Sequence, residues 1–213
     1  MEQQKTLTEQ VREALSQHKM PSILRKFDVG WNQFVTKWII ELKKCGVNQC
    51  DDTSAIQLIP DWLENGKQSL LISGGVGNGK TTIASALKNS HNDSCKDNLR
   101  EENIAKYVTA RQIIGMAMQG RETKTSQTLK SLHDCYGLII DDLGIEQAEI
   151  NNYGTIETPV IELLEKRYEK RLPTIITTNL DMEQIKEKYG IRIHDRIIEQ
   201  YSIIGLNQKS FRK

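Results

Sequence analysis

The sequence LLISGGVGNGKTTIASAL, residues 70–87, joins an apolar run to a glycine-rich loop and then to a helical pattern. GxxxxGKT between a strand and a helix is the pattern of a phosphate-binding loop. The glycines let backbone amides converge on a phosphate, and the following helix adds unsatisfied N–H groups and its positive dipole end. The segment therefore predicts a strand, a nucleotide-binding loop and a helix in direct succession.

Two side chains of this loop have specific expected roles. Lys80 is expected to reach the β- and γ-phosphates, and the Thr81 hydroxyl is expected to ligate Mg²⁺. A glycine-rich turn without a ligand is the alternative, which the full pattern and its context disfavour. The predicted nucleotide-binding residues are Gly74, Gly75, Val76, Gly77, Asn78, Gly79, Lys80, Thr81 and Thr82.

A second apolar run, residues 137–140, ends in two adjacent carboxylates, Asp141 and Asp142. Ligands of open α/β sheets bind beyond the carboxyl ends of the strands, and neighbouring side chains of a strand point in opposite directions. We therefore assign Asp141 to the Mg²⁺ shell and Asp142 to orienting or deprotonating the attacking water. A strand-end carboxylate that caps the next turn is the weaker interpretation beside a phosphate loop.

Short apolar runs alternate with helical patterns from residue 69 onward, which predicts a parallel, doubly wound α/β sheet. The predicted strands are residues 70–73, 106–109, 138–141, 174–178 and 203–206. Helices are predicted to begin at Lys80, at Ala110 and near Pro159, the last with Thr158 as its cap.

The strand at residues 174–178 is followed by Asn179. An amide at this depth could position water against the γ-phosphate, or it could cap the turn at Asp181. The residues alone favour neither role.

Composition limits the possible functions. The 29 basic and 28 acidic residues nearly cancel, so net charge gives no sign of nucleic-acid binding and any DNA contact would need a local basic patch. The N-terminus is polar, and no apolar run approaches the roughly 18 residues of a membrane span. We expect a cytoplasmic protein with no membrane partner.

The N-terminal part of the chain has a helical pattern. Thr6 and Glu9 form a capping box ahead of spaced apolar residues, and a second amphipathic stretch follows. Its apolar stripe is Trp31, Phe34, Val35, Trp38, Ile39 and Leu42. The stripe either packs against the rest of the fold or forms a groove for a partner.

Further segments follow the phosphate loop in a distinctive order. They are YVTA at 107–110, LIIDDLGIE at 138–146, RYEKRLPTIITTNL at 167–180, YGIRIHDRI at 189–197 and KSFR at 209–212. Together they resemble the DnaC-like branch of the AAA+ ATPases, which includes bacterial and phage helicase loaders and IstB-type transposition helpers. The resemblance extends over about residues 61–212, and the order TTNL, YGxRIxDR, SFR is much more specific than a phosphate loop alone.

The resemblance implies a fold, a domain organisation and cofactors. The fold is a P-loop NTPase (AAA+) three-layer fold with a central parallel sheet of about five strands, preceded by a short helical N-terminal region. Residues 1–50 would be a partner-binding region and residues 51–213 the ATPase domain. ATP and Mg²⁺ would be the cofactors.

The resemblance also implies roles for single residues. Asn179 would be sensor 1, on a strand between the phosphate-loop strand and the Asp141 strand. Asp142 stands where AAA+ proteins usually have glutamate, and its shorter side chain implies slow, switch-like hydrolysis.

Arg196 falls where this class places the arginine finger. Such a residue acts on the γ-phosphate of a neighbouring subunit, which implies an ATP-dependent homo-oligomer. Arg192, one helical turn earlier, is the rival. A surface salt bridge of Arg196 with Asp195 or Glu199 is the alternative interpretation.

Three functions are compatible with these motifs to different degrees. The leading one is an ATPase that loads a replicative helicase onto single-stranded DNA, with residues 1–50 contacting the helicase. The second is an IstB-type helper that assembles on duplex DNA and licenses a transposase. The third, a P-loop small-molecule kinase, predicts a phosphate-clamping arginine lid, and we find no such lid in the sequence.

A DNA contact is expected in residues 111–130, where related initiators and loaders place a helix facing single-stranded DNA. Basic residues are frequent there and acidic ones few, which suits phosphate contacts. The basic residues are Arg111, Arg121, Lys124 and Lys130. A solvated helix face explains them equally well.

Overall fold

A computed structural model of the chain describes residues 66–94, 104–118, 123–152 and 155–206, together with the single residues 40, 43, 44, 59 and 62. The predicted N-terminal helices and the KSFR segment therefore lie almost entirely outside the described residues. The strands are β1 (Ser69–Gly74), β2 (Lys106–Thr109), β3 (Leu138–Leu143), β4 (Ile150–Asn152), β5 (Thr155–Glu157), β6 (Thr174–Thr178) and β7 (Tyr201–Leu206). The helices are α1 (Lys80–Ser94), α2 (Ala110–Met118), α3 (Thr123–Asp134), α4 (Pro159–Glu169), α5 (Met182–Tyr189) and α6 (Ile191–Gln200).

Five strands form one parallel sheet in the order β2-β3-β6-β1-β7. Strand β6 lies between β1 and β3, which confirms the predicted place of the strand before Asn179. Because all five strands run in the same direction, the phosphate loop and Asn179 follow strand ends at one edge of the sheet, and Asp141 lies near the end of β3 at the same edge. The predicted parallel α/β fold is confirmed.

The sheet is covered by helices on both faces. Helix α1 packs against β1, β3 and β6, and its buried residues lie outside the core that the other helices share. That shared core includes Ile113, Leu163, Ile185, Ile193 and Ile197. The central strands are buried on both faces, as long apolar runs in parallel sheets usually are. The arrangement has three layers, with the sheet in the middle.

Several local predictions need correction. Helix α4 does begin at Pro159, but the Thr158 side chain makes no capping hydrogen bond. Strand β7 begins at Tyr201 rather than at residue 203, because it pairs with β1 along the whole length of that strand. The hairpin of β4 and β5 was not predicted, since each of its strands has only three residues.

The basic stretch at residues 111–130 forms parts of two helices, α2 and α3, rather than one. Arg111 and Lys130 are exposed, whereas Arg121 lies outside the described residues, as does the side chain of Lys124. The structure therefore leaves the DNA contact of this stretch a prediction.

Arg167 holds the C-terminal end of α3 against the start of β6. Only 1% of this residue is exposed, and burial lowers the pKa of its guanidinium below the ordinary value. The guanidinium donates to the Thr174 hydroxyl at 2.8 Å and to four backbone carbonyls, those of Leu132, Cys135, Tyr136 and Pro173. Carbonyls beyond a helix end need donors, and a cation suits that end of the helix dipole. The RYEKRLPT segment therefore has a structural reason to contain an arginine.

Candidate nucleotide-binding site

The phosphate loop is attached to the end of β7. Gly74 has a φ of 152°, and a Cβ there would lie 2.5 Å from the Leu206 carbonyl oxygen, so only glycine fits. The buried Asn78 side chain donates to the same carbonyl through Nδ2 at 2.9 Å. Gly77 and Gly79 have φ values of 83° and 81°, in the left-handed region that favours glycine. The Asn78 side chain thus attaches the loop to the end of β7.

Lys80 lies across the loop, within the curve where phosphates would sit. Its ammonium Nζ donates to the carbonyls of Gly74 at 2.9 Å and Gly75 at 2.6 Å. The residue is buried, although it carries a charge. Such a lysine is placed for phosphate oxygens, which are stronger acceptors for an ammonium than neutral carbonyls are.

Asp141 lies beside the start of α1 and accepts hydrogen bonds from three hydroxyls. Thr81 Oγ1 is 3.1 Å from both carboxylate oxygens. Thr177 Oγ1 donates to Oδ1 at 2.5 Å, and the Tyr107 hydroxyl donates to Oδ2 at 2.5 Å. Burial and the contact with Asp141 raise the pKa of Tyr107, so its phenol stays protonated and acts as a donor. The structure brings together Thr81 and Asp141, the two predicted metal ligands.

This pair of oxygen ligands fits Mg²⁺. Magnesium is usually bound through one or two carboxylates and the substrate phosphates, with water completing its shell. One carboxylate and one hydroxyl at the end of a phosphate loop match that chemistry. Among the residues that the structure describes, no group of three or more His, Cys, Asp or Glu side chains could hold a metal by itself.

Asp142 departs from regular strand geometry. Its φ is 55°, and the pairing of β3 with β6 shifts register between Ile140 and Leu143. The Asp142 amide donates to Thr177 Oγ1 at 2.9 Å. A non-glycine residue in this left-handed region costs on the order of 1 kcal/mol, and such residues concentrate at functional sites. The shift is a bulge in β3, so Asp141 and Asp142 do not follow the simple alternation of a regular strand.

Asn179 is exposed at the end of β6, and it does not cap α5. Asp181 accepts from the Gln184 amide at 2.8 Å, and the Gln184 side chain accepts from the Asp181 amide at 2.9 Å. This capping box makes an Asn179 cap unnecessary. Asp181 is therefore the cap of this helix, and the water-positioning role of Asn179 stays a prediction.

The turn after Asp142 is fastened to the end of α5, which the sequence reasoning missed. Glu146 is buried and accepts from the Gly144 amide at 2.9 Å and from the Tyr189 hydroxyl. Burial and the Glu146 contact raise the pKa of Tyr189. Lys188 Nζ donates to the carbonyls of Gly144 and Glu146, each at 2.5 Å. The residues of this contact lie in two of the motif segments: Gly144 and Glu146 in LGIE, and Tyr189 in YG.

Arg192 and Arg196 lie on α6 and share one partner on α4. Arg192 Nε is 3.1 Å, and Arg196 Nη1 is 3.0 Å, from Glu165 Oε1. The Arg196 guanidinium also lies over the Tyr168 ring, 4.7 Å from its centroid. The Arg192 side chain is 68% exposed and that of Arg196 15%.

The alternative ion-pair partners predicted for Arg196, Asp195 and Glu199, are wrong. Asp195 instead contacts its other neighbour, with Oδ1 at 3.1 Å from Nδ1 of His194. Glu199 accepts a hydrogen bond from the Tyr168 hydroxyl at 2.5 Å instead. Glu165 is available because α4 packs against α6.

A family model confirms what these motifs predict. The model described as IstB-like ATP binding protein matches residues 51–213. The chain belongs to this family. Its membership, together with the fold, confirms the predicted DnaC-like and IstB-like branch of the AAA+ ATPases. No curated protein sequence shows significant similarity to the chain.

Solved structures with the same fold include proteins of DNA replication. DnaI is similar with a TM-score of 0.58 and 21% identity, over 77% of this chain and 87% of DnaI. The DnaC helicase loader is similar with a TM-score of 0.57 and 20% identity, over 76% of this chain and 94% of the loader. The replication initiator DnaA bound to AMPPCP and single-stranded DNA has a TM-score of 0.53 and 17% identity, over 76% of this chain and 48% of DnaA. The TM-scores, at these low identities, show a shared fold.

Within the part of the chain that the structure describes, no helix is both long enough and apolar enough to cross a membrane.

Lys80→Ala is expected to weaken ATP binding by on the order of 100-fold, because about 3 kcal/mol of charge-assisted contacts to phosphate is lost. A fluorescent ATP analogue titrated against the variant measures this change. Lys166→Ala, at an exposed position of α4, is the matched control and should bind as the unmodified protein does. Equal affinity of Lys80→Ala and the unmodified protein would contradict the assignment of the loop.

Proposed function

We propose that this protein binds ATP with Mg²⁺ at the phosphate loop and hydrolyses it. The observation that carries the proposal is the contact between Thr81 and Asp141, which are 60 residues apart in the chain and meet at the end of the loop. The backbone of residues 74–79 and the first amides of α1 would hold the phosphates. Lys80 would neutralise charge on the β- and γ-phosphates. Thr82, in the first turn of the same helix, would also belong to the nucleotide site.

Thr81 and Asp141 would hold the metal ion, which when bound screens phosphate charge and orients the leaving group. Asp142 would orient the attacking water and accept its proton, and Asn179 would position that water or the γ-phosphate. Both lie at the carboxyl edge of the sheet, next to the loop. The short Asp142 side chain supports slow turnover, which suits a switch better than a motor.

We further propose that a neighbouring subunit completes the site. Arg196 would act on the γ-phosphate bound by the next subunit, with Arg192 as the alternative. Arg196 lies against Glu165 and Tyr168 of its own subunit, so it would have to leave this ion pair to act in trans, and Arg192 is the more accessible of the two. Bound ATP would then stabilise a homo-oligomer, and this oligomer would assemble on DNA.

The process that we propose is the loading of a replicative helicase onto single-stranded DNA. The likeness in fold to the DnaC helicase loader, and to a DnaA structure with single-stranded DNA, supports this proposal. Residues 1–50, which precede the matched family domain, would contact the helicase. A second candidate is an ATPase that assists a transposase on duplex DNA, which the IstB-like family description favours.

Asp142→Asn is expected to leave ATP affinity unchanged and to lower the hydrolysis rate by about 100-fold, because a general base contributes roughly 100- to 10,000-fold. Phosphate release at saturating ATP measures the rate. Asp134→Asn is the matched control, since it makes the same change in an exposed ion pair with Lys170. Undiminished hydrolysis by Asp142→Asn would remove this residue from the mechanism.

The full chain is expected to retain a hexameric replicative helicase of the same cell in an ATP-dependent pull-down. Deletion of residues 1–50 should abolish retention without changing the affinity for ATP, because the nucleotide site lies within the family domain. Retention of a transposase instead of a helicase would favour the second candidate. Retention of the helicase by the truncated protein would contradict the partner role of the N-terminal region.

A further inference from the structure

The Thr177 hydroxyl contacts both aspartates of the site. Thr177 is fully buried in β6, the strand next to β3. A hydroxyl has one proton to donate and lone pairs that accept. The amide of Asp142 can only donate, so Thr177 Oγ1 accepts from it at 2.9 Å. The hydroxyl proton is then left for Asp141 Oδ1, at 2.5 Å.

The Tyr107 hydroxyl occupies the other oxygen of the same carboxylate. It reaches Oδ2 of Asp141 at 2.5 Å from β2, on the far side of β3. The carboxylate therefore lies between a donor from each neighbouring strand, and its rotation about χ2 is restricted. Thr81, the predicted metal ligand, contacts both oxygens from the side of the phosphate loop.

The partners of Thr177 distinguish it from Thr174 and Thr178, the other buried threonines of β6, whose hydroxyls bond to Arg167 or to backbone groups. Buried positions in central parallel strands are usually apolar, and valine has nearly the same shape as threonine. A buried hydroxyl is favourable only when its hydrogen bonds are made. Here both of its hydrogen bonds go to the residues that we assign to metal and water.

We propose that Thr177 and Tyr107 are positioning residues, which hold the Asp141 carboxylate for Mg²⁺, while Thr177 also binds the Asp142 amide at the bulge. This inference rests on the proposed function of the site. Magnesium demands near-ideal octahedral geometry, so a ligand that is already oriented loses less freedom on binding. Partners behind a metal ligand commonly change metal affinity or activity by about 10- to 100-fold when they are removed.

The test is a Mg²⁺ titration of the binding of a fluorescent ATP analogue, with a parallel measurement in EDTA. Thr177→Val should raise the Mg²⁺ concentration at half-effect by about tenfold and leave the affinity in EDTA unchanged. Thr177→Ser keeps the hydroxyl, so its Mg²⁺ concentration at half-effect should equal that of the unmodified protein. Tyr107→Phe should raise it as well, and this half-buried site allows the test even if Thr177→Val does not fold.

Thr174→Val is the matched control. It removes a buried hydroxyl from the same strand, but that hydroxyl bonds to Arg167 and to the Leu172 carbonyl. We expect lower thermal stability with an unchanged Mg²⁺ response.

Thr177→Val and Tyr107→Phe proteins could fold and respond to Mg²⁺ as the unmodified protein does. This result would overturn the positioning role but not the proposed function of the site. A Thr174→Val protein with the same shift as Thr177→Val would overturn it too, since the shift would then reflect general destabilisation. An unmodified protein whose nucleotide binding ignores Mg²⁺ would overturn the proposed function and this inference together.

Discussion

The buried Asp141 carboxylate is the point at which separate parts of the chain are joined. Thr81 from α1, Tyr107 from β2 and Thr177 from β6 all donate to it. A carboxylate removed from water costs several kcal/mol unless donors replace the lost hydration. Thr81 thereby joins the start of α1 to β3, and Thr177 also accepts from the Asp142 amide at the bulge. A site for phosphate and metal is thus part of what holds the sheet edge together.

A second set of contacts extends from this edge to α6. Glu146, just beyond Asp142, is fastened to Tyr189 and Lys188 at the end of α5, and α6 begins two residues later. Gly144 lies between Asp142 and Glu146 in the chain. A larger residue would not fit there, because a Cβ would lie 2.6 Å from the Leu180 side chain. The turn that follows the proposed base is therefore attached to the helix that precedes α6, on which both candidate arginines lie.

Much of the fold could be predicted from the sequence, because its signals are local. Apolar runs, GxxxxGKT and Pro159 determine their elements within a few residues, and parallel strands then align their ends. The hydrogen bonds around Asp141 could not be predicted, since Tyr107 and Thr177 reach it only through the pairing of strands distant in the chain. The bulge at Asp142 depends on the same long-range pairing. Glu165 as the partner of Arg196 likewise requires the packing of α4 on α6.

We propose that each ATP site is shared between two subunits, with the base from one and an arginine from the other. The most direct measurement mixes two inactive proteins, Asp142→Asn and Arg196→Ala, and follows ATP hydrolysis. In a randomly mixed ring about a quarter of the interfaces pair an intact base with an intact arginine, so activity should return to roughly that fraction. Arg192→Ala in place of Arg196→Ala distinguishes the two candidates. If Asp142→Asn stays inactive when it is mixed with Arg196→Ala, and also when it is mixed with Arg192→Ala, the result would contradict the shared site.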